Sequence, residues 1–67
     1  MFMAYEEFYT LRDNALADDA SAMDIDELGY YLEVYGMSMW NGESWLIDDD
    51  HELYRDGGGY AIRTLDN

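Results

Sequence analysis

The apolar residues of this chain change period at Gly36, and that switch limits the fold more than any other feature. Before it they recur every three to four residues, the spacing of one face of a helix. After it they alternate or fall in short blocks, the spacing of strands. Within Ser21–Gly36, Ile25, Leu28, Leu32 and Tyr35 stand at i, i+3, i+7 and i+10, which predicts one buried helical stripe over 24–35. Asp24 can N-cap this helix with Glu27 three residues on, and Ser21 with Asp24 offers a second start of the same capping-box form. Gly36 stands where a left-handed residue would close it. On the opposite face, at about 100° per residue, Asp26, Tyr30 and Glu33 line up with Glu27 beside them.

An earlier helix is predicted over 5–17. Ala4, Phe8, Leu11 and Ala15 form its buried stripe, flanked by Tyr5, Arg12 and Leu16, while Glu6, Glu7 and Asp13 turn outward. Asp18-Asp19-Ala20-Ser21 is a break short enough for an antiparallel α-hairpin. Beyond Gly36, Asn41-Gly42 predicts a two-residue turn inside a β-hairpin over 37–47, pairing Trp40 with Glu43, Met39 with Ser44, Ser38 with Trp45 and Met37 with Leu46. Met37, Met39 and Leu46 would share one face and Trp40, Trp45 and Ile47 the other, so some aromatic surface should stay uncovered. Short strands are expected over 52–65 on either side of a four-residue loop, Asp56-Gly57-Gly58-Gly59, with Leu53 opposite Ile62 and Glu52 opposite Arg63. The expectation is one α+β domain over 1–67, an N-terminal α-hairpin packed on a small antiparallel sheet of three or four strands, ααβββ or ααββββ.

At 67 residues such a domain has a core barely large enough to hold, and with no cysteine no disulfide can reinforce it. Seven tyrosines and two tryptophans argue for a folded chain, since acidic disordered tails lack aromatics. The N-terminal MFMAYEEF has acids where a signal peptide needs basic residues, and no apolar run approaches membrane-spanning length. The expected setting is therefore cytoplasmic, and the chain reads as a complete small reading frame.

Charge then decides between function classes. Sixteen acids against three arginines and no lysine give a net charge of −13, enough for self-repulsion to weaken the compact state. Direct nucleic-acid binding is opposed, because phosphates find no basic stripe to meet them. Asp24–Gly29 has carboxylates at calcium-loop positions 1 and 3 and glycine at 6, but Leu28 and Tyr35 stand where oxygen ligands are required. Asp48-Asp49-Asp50-His51-Glu52 offers five ligands in a row, yet Leu53 takes the place of the turn glycine. Neither run predicts a metal site, and no cofactor is expected. Catalysis lacks a nucleophile with a marked base, and Gly57-Gly58-Gly59 lacks the Lys-Ser/Thr of a phosphate loop, so a non-enzymatic protein is expected.

What remains is a surface like a polyanion. Acids three or four residues apart on a helix lie about 5–6 Å apart, close to the spacing of neighbouring phosphates. Asp26 and Glu33 would lie about 10.5 Å apart along the axis. The candidate partner-binding residues are Asp26, Glu27, Tyr30 and Glu33 on the second helix, Glu6 and Asp13 on the first, Asp18 and Asp19 at the corner, and Asp48, Asp49 and Asp50 in the loop. In size, charge and layout the chain resembles the small phage-encoded DNA-mimic inhibitors, and most of all the short acidic anti-CRISPR proteins directed at type I Cascade complexes, the type I-C group among them. That resemblance implies a protein that occupies a basic DNA-binding groove of the surveillance complex and blocks target recognition; a monomer is expected, in the host-cell cytoplasm if the chain is phage-encoded. Two alternatives stand beside it: an adaptor or homodimer with an aromatic interface through Trp40 and Trp45, and a domain adapted to high salt.

Overall fold

The computed structural model describes residues 5–65, and its elements run in the order ααβββ. Helix α1 spans Tyr5–Leu16, helix α2 Ala22–Tyr35, and three strands follow: β1 Ser44–Leu46, β2 His51–Asp56 and β3 Gly59–Thr64. They form one antiparallel meander in the order β1-β2-β3. The fold class expected from the sequence is the one observed. Helix α1 packs on α2, and α2 packs on β3 and β2, so the second helix is the central layer. Ala4, expected at the head of the α1 stripe, lies outside the described residues.

Two starts were open for α2, and the earlier one forms. Ser21 is the N-cap: its Oγ accepts from the Asp24 N–H at 3.3 Å, and the Asp24 carboxylate accepts from the Ser21 N–H at 2.9 Å. The helix therefore begins at Ala22, not at 24, and Met23 joins it. Leu28 and Leu32 are fully buried and Ile25 packs beside them, as the stripe predicts, but Tyr31 takes the buried place expected for Tyr35, which is exposed. Gly36 ends the helix without a left-handed turn, at φ −115°. A glycine suits this position because a Cβ would press on Leu32, and its carbonyl accepts both the Met39 N–H and the indole N–H of buried Trp45.

The hairpin expected over 37–47 does not form. Met37–Met39 is a turn of 3₁₀ helix instead, continuing from the end of α2. Asn41 has no positive φ, so the turn that would pair Trp40 with Glu43 is not made. The Asn41 side chain instead accepts the N–H groups of both Glu43 and Ser44 at 2.9 Å, an arrangement that competes with the two-residue turn. Trp40 moves two positions along to bridge Trp45, their rings 4.3 Å apart, and the fourth strand shrinks to that one bridge.

The second hairpin obeys its local sequence. Gly57 and Gly58 both have positive φ, 58° and 93°, the sign pattern of a two-residue turn matched to strand twist. Leu53 then faces Ile62 and Glu52 faces Arg63 as expected, with Asp56 and Gly59 added to the ladder. Trp45 of β1 and Ile47 just after it lie in the core with Leu53, Ser44 is buried as well, and Leu46 is left outside. With Phe8 and Ala15 from α1 these residues complete one core.

Candidate functional site

The carboxylates fall into two populations, separated by whether the fold supplies a partner. Each of the three arginines is taken by an internal acid. Arg12 pairs with Asp13 at 3.2 Å while its guanidinium lies over the rings of Tyr9 and Phe8. Arg63 pairs with Glu52, whose other oxygen accepts from the buried Ser44 hydroxyl at 2.8 Å. Arg55 makes a forked pair with Glu33, its Nε donating at 3.0 Å and its terminal nitrogen at 2.5 Å.

The Glu33 pair belongs to a larger assembly between α2 and the sheet. The Tyr60 hydroxyl donates to Glu33 at 2.9 Å, and Arg55 lies 4.6 Å from the centre of the Trp40 ring and 5.6 Å from that of Trp45. Tyr60 stacks edge-on against Tyr30 at 5.5 Å and lies 6.3 Å from Trp45, so rings run without a break from the helix surface to the core. Gly29 makes this seat possible. A Cβ on it would overlap Cγ and Cδ2 of the Tyr60 ring.

The electrostatics follow from these contacts. The Arg55 hydrogen bond foremost, helped by the Tyr60 hydroxyl and opposed by burial, holds the Glu33 carboxyl below the usual range. Burial, together with that same hydrogen bond to Glu33, pushes the Tyr60 hydroxyl up to about 12. The Ser44 hydroxyl and then Arg63 lower Glu52. At Asp48 burial acts upward, but hydrogen bonds from the Asp50 N–H at 2.7 Å and from His51 Nδ1 at 2.9 Å outweigh it and leave the carboxyl lowered.

The expected partner-binding residues therefore divide. Asp26, Tyr30 and Glu33 do share a flank of α2, but its Asp26 and Glu33 edge meets the sheet, while Tyr30 meets Tyr60 edge-on and stays exposed. Glu33 is consumed by Arg55 and Tyr60, and Asp26 is half-buried against Gly59. Asp13 and Asp48 also have internal partners. Glu6, Asp18, Asp19, Glu27, Asp49 and Asp50 are exposed, and none of them has a side-chain hydrogen-bond or ion-pair partner among the described residues. Glu7, Glu43 and Asp56 are exposed in the same way, and the sequence-derived set omits them. The proposed aromatic interface loses its centre, since Trp45 is fully buried and Trp40 lies under Arg55.

One surface was anticipated only in part, through Tyr30 and Glu27 and without Met23 and Val34. Met23, Tyr30 and Val34 are 68%, 57% and 70% exposed, and at 100° per residue they stack along the side of α2 opposite Leu32, with Glu27 among them. Their spacing of seven and four residues is visible in the sequence once the helix begins at Ala22. Among the described residues there is no pocket, no group of three metal-ligating side chains, and no helix long and apolar enough to cross a membrane. Compared with protein-family models, with curated proteins and with solved structures, the chain gives no match.

Proposed function

We propose that this chain is a non-enzymatic inhibitor that acts as a nucleic-acid mimic, its carboxylates replacing phosphates on the lysine- and arginine-rich surface of a nucleic-acid-binding protein. The observation that supports this is the division of charge. Every arginine is ion-paired to a carboxylate of the same chain, Arg55 and Arg63 while half-exposed, so among the described residues the unpaired surface charges of the −13 chain are carboxylates on helices, turns and a hairpin. A rigid array loses little conformational entropy on binding, unlike a floppy acidic tail. Opposite charge on the partner speeds encounter and fixes orientation, while nucleic acid itself is repelled. A host defence complex such as CRISPR Cascade, in the cytoplasm of a phage-infected cell, is the partner class that the resemblance in size, charge and layout favours.

The test varies salt and competitor. Pull-downs from host extract should capture a nucleic-acid-binding protein at about 50 mM salt and lose most of it at about 500 mM, where the screening length is only a few ångströms. Excess DNA should displace the chain from that partner. Reversing Asp18, Asp19, Asp49 and Asp50 to lysine should weaken capture, because those acids have no internal work. Capture that ignores both salt and DNA removes the mimic reading.

A further inference from the structure

Resting on that reading of a basic partner, we infer that the outer face of α2, formed by Met23, Tyr30 and Val34 with Glu27, is the docking helix. Its occupant is a cationic amphipathic surface, with apolar side chains rimmed by lysine or arginine. Acids alone would give a diffuse, salt-sensitive attraction with no register; this face supplies the directional part. It is the side of the helix turned away from Leu28 and Leu32, and the fold leaves most of it exposed. Three large apolar side chains, each more than half exposed, line it over three turns. Tyr30 is held edge-on against Tyr60, which is itself anchored to Glu33 and seated on Gly29, so the ring is set before a partner arrives.

Charge selects the occupant. A second copy would bring another net −13 to the face and, among the described residues, offer no unpaired arginine, since Arg12, Arg55 and Arg63 are all held by carboxylates of their own chain. An anionic membrane or a nucleic acid is repelled for the same reason. Glu27 lies in the stripe itself, Asp26 borders it, and Asp18 and Asp19 stand in the turn that leads into the helix. An apolar patch with carboxylates in and around it is complementary to apolar residues set among cations.

Two synthetic peptides of about fourteen residues probe this, one an amphipathic leucine–lysine helix and the other a leucine-free peptide of the same charge. Titrated into isotopically labelled protein at low salt, the leucine–lysine peptide should bind at least about tenfold more tightly, roughly 1.4 kcal/mol. Its amide shifts should centre on Met23–Val34. The exposed double variant Met23→Ser with Val34→Ser should abolish that advantage while leaving the circular-dichroism spectrum unchanged. Leu46→Ser, on the outer face of the sheet, should leave it intact. Equal affinity for the two peptides, with shifts spread over Asp18–Asp19 and Asp48–Asp50, would overturn the docking face and spare the electrostatic reading. Failure of both peptides to bind sinks the electrostatic reading as well. Concentration-dependent shifts on the same face without peptide would make a second copy the occupant and refute the proposal.

Discussion

Glu27 and Glu33 stand on the same helix, and the fold uses them in opposite ways. Glu33 faces the sheet, where Arg55 of β2 and Tyr60 of β3 satisfy both its oxygens; Glu27 faces solvent with no partner among the described residues. One carboxylate helps fasten the helix to the sheet, and the other adds to a field that weakens the compact state. In a chain this acidic the useful distinction is therefore not acid against neutral. It is acid with an internal cation against acid without one, and only the second kind is free to meet another molecule. Hydrogen bonds separate the acids of the loop in a similar way: Asp48 accepts from the Asp50 N–H and contacts His51 Nδ1, while the side chains of Asp49 and Asp50 are exposed.

The comparison breaks most visibly at Gly29, on which the fastening flank rests. Mid-helix glycine gives up about 1 kcal/mol of helix propensity relative to alanine, so replacing it would ordinarily stabilise. Here the added Cβ would overlap the Tyr60 ring, and the overpacking term wins. Gly29→Ala should lose about 2 kcal/mol net, which for a domain of this size lowers Tm by roughly 8–16 °C. Thermal unfolding followed by circular dichroism measures it. A Tm at or above that of the parent would mean that Tyr60 shifts freely and that the flank is not built on this contact.

How far the sequence carries this distinction depends on the range of the interaction. Gly57-Gly58 specifies its turn within four residues, and the register of β2 on β3 follows from it. Ser21 and Asp24 declare a helix start equally locally, although choosing between two overlapping capping boxes needed the structure. Asn41-Gly42 misleads because an asparagine side chain can satisfy the backbone N–H groups that the two-residue turn would have left to the strands. Glu33 could not be assigned from its neighbours, because Arg55 and Tyr60 arrive 22 and 27 residues later. Gly29 and Gly36 were likewise opaque: each is small because a distant or folded-back side chain needs the space. The docking face of α2 was legible in principle, but a helix begun at Asp24 leaves Met23 outside it.

Glu33→Gln sharpens the comparison by keeping a hydrogen-bonding side chain and removing its charge. Glu33 has a lowered carboxyl in the fold, so its contribution is fully present above its ordinary value of 4.5 and is lost as pH falls through the lowered, folded-state value. The parent should exceed the variant in Tm at pH 7 by no more than roughly 5 °C, since the pair is partly solvated. The gap should close as the pH drops well below 4.5. Taking the difference between the two proteins matters, because acid also relieves the general repulsion and would otherwise mask the loss. A gap that is constant down to low pH would assign the effect to packing of the side chain and not to its charge.

Glu27→Lys should disturb the fold least and the surface most. The exchange removes one negative charge and adds one positive, taking the net from −13 to −11 (−13 + 2), without breaking any internal contact. Relief of repulsion and the weak preference of a helix for acids toward its N-terminus act in opposite directions, so Tm should stay within about 2 °C of the parent. Placed within the Met23–Tyr30–Val34 face, however, the new ammonium would meet the cations that rim the leucine–lysine peptide. Affinity for that peptide should fall by more than it does for Glu6→Lys, which makes the same charge change on α1. Equal losses from the two variants would reduce Glu27 to a contributor to net charge and leave the docking face resting on its apolar side chains alone.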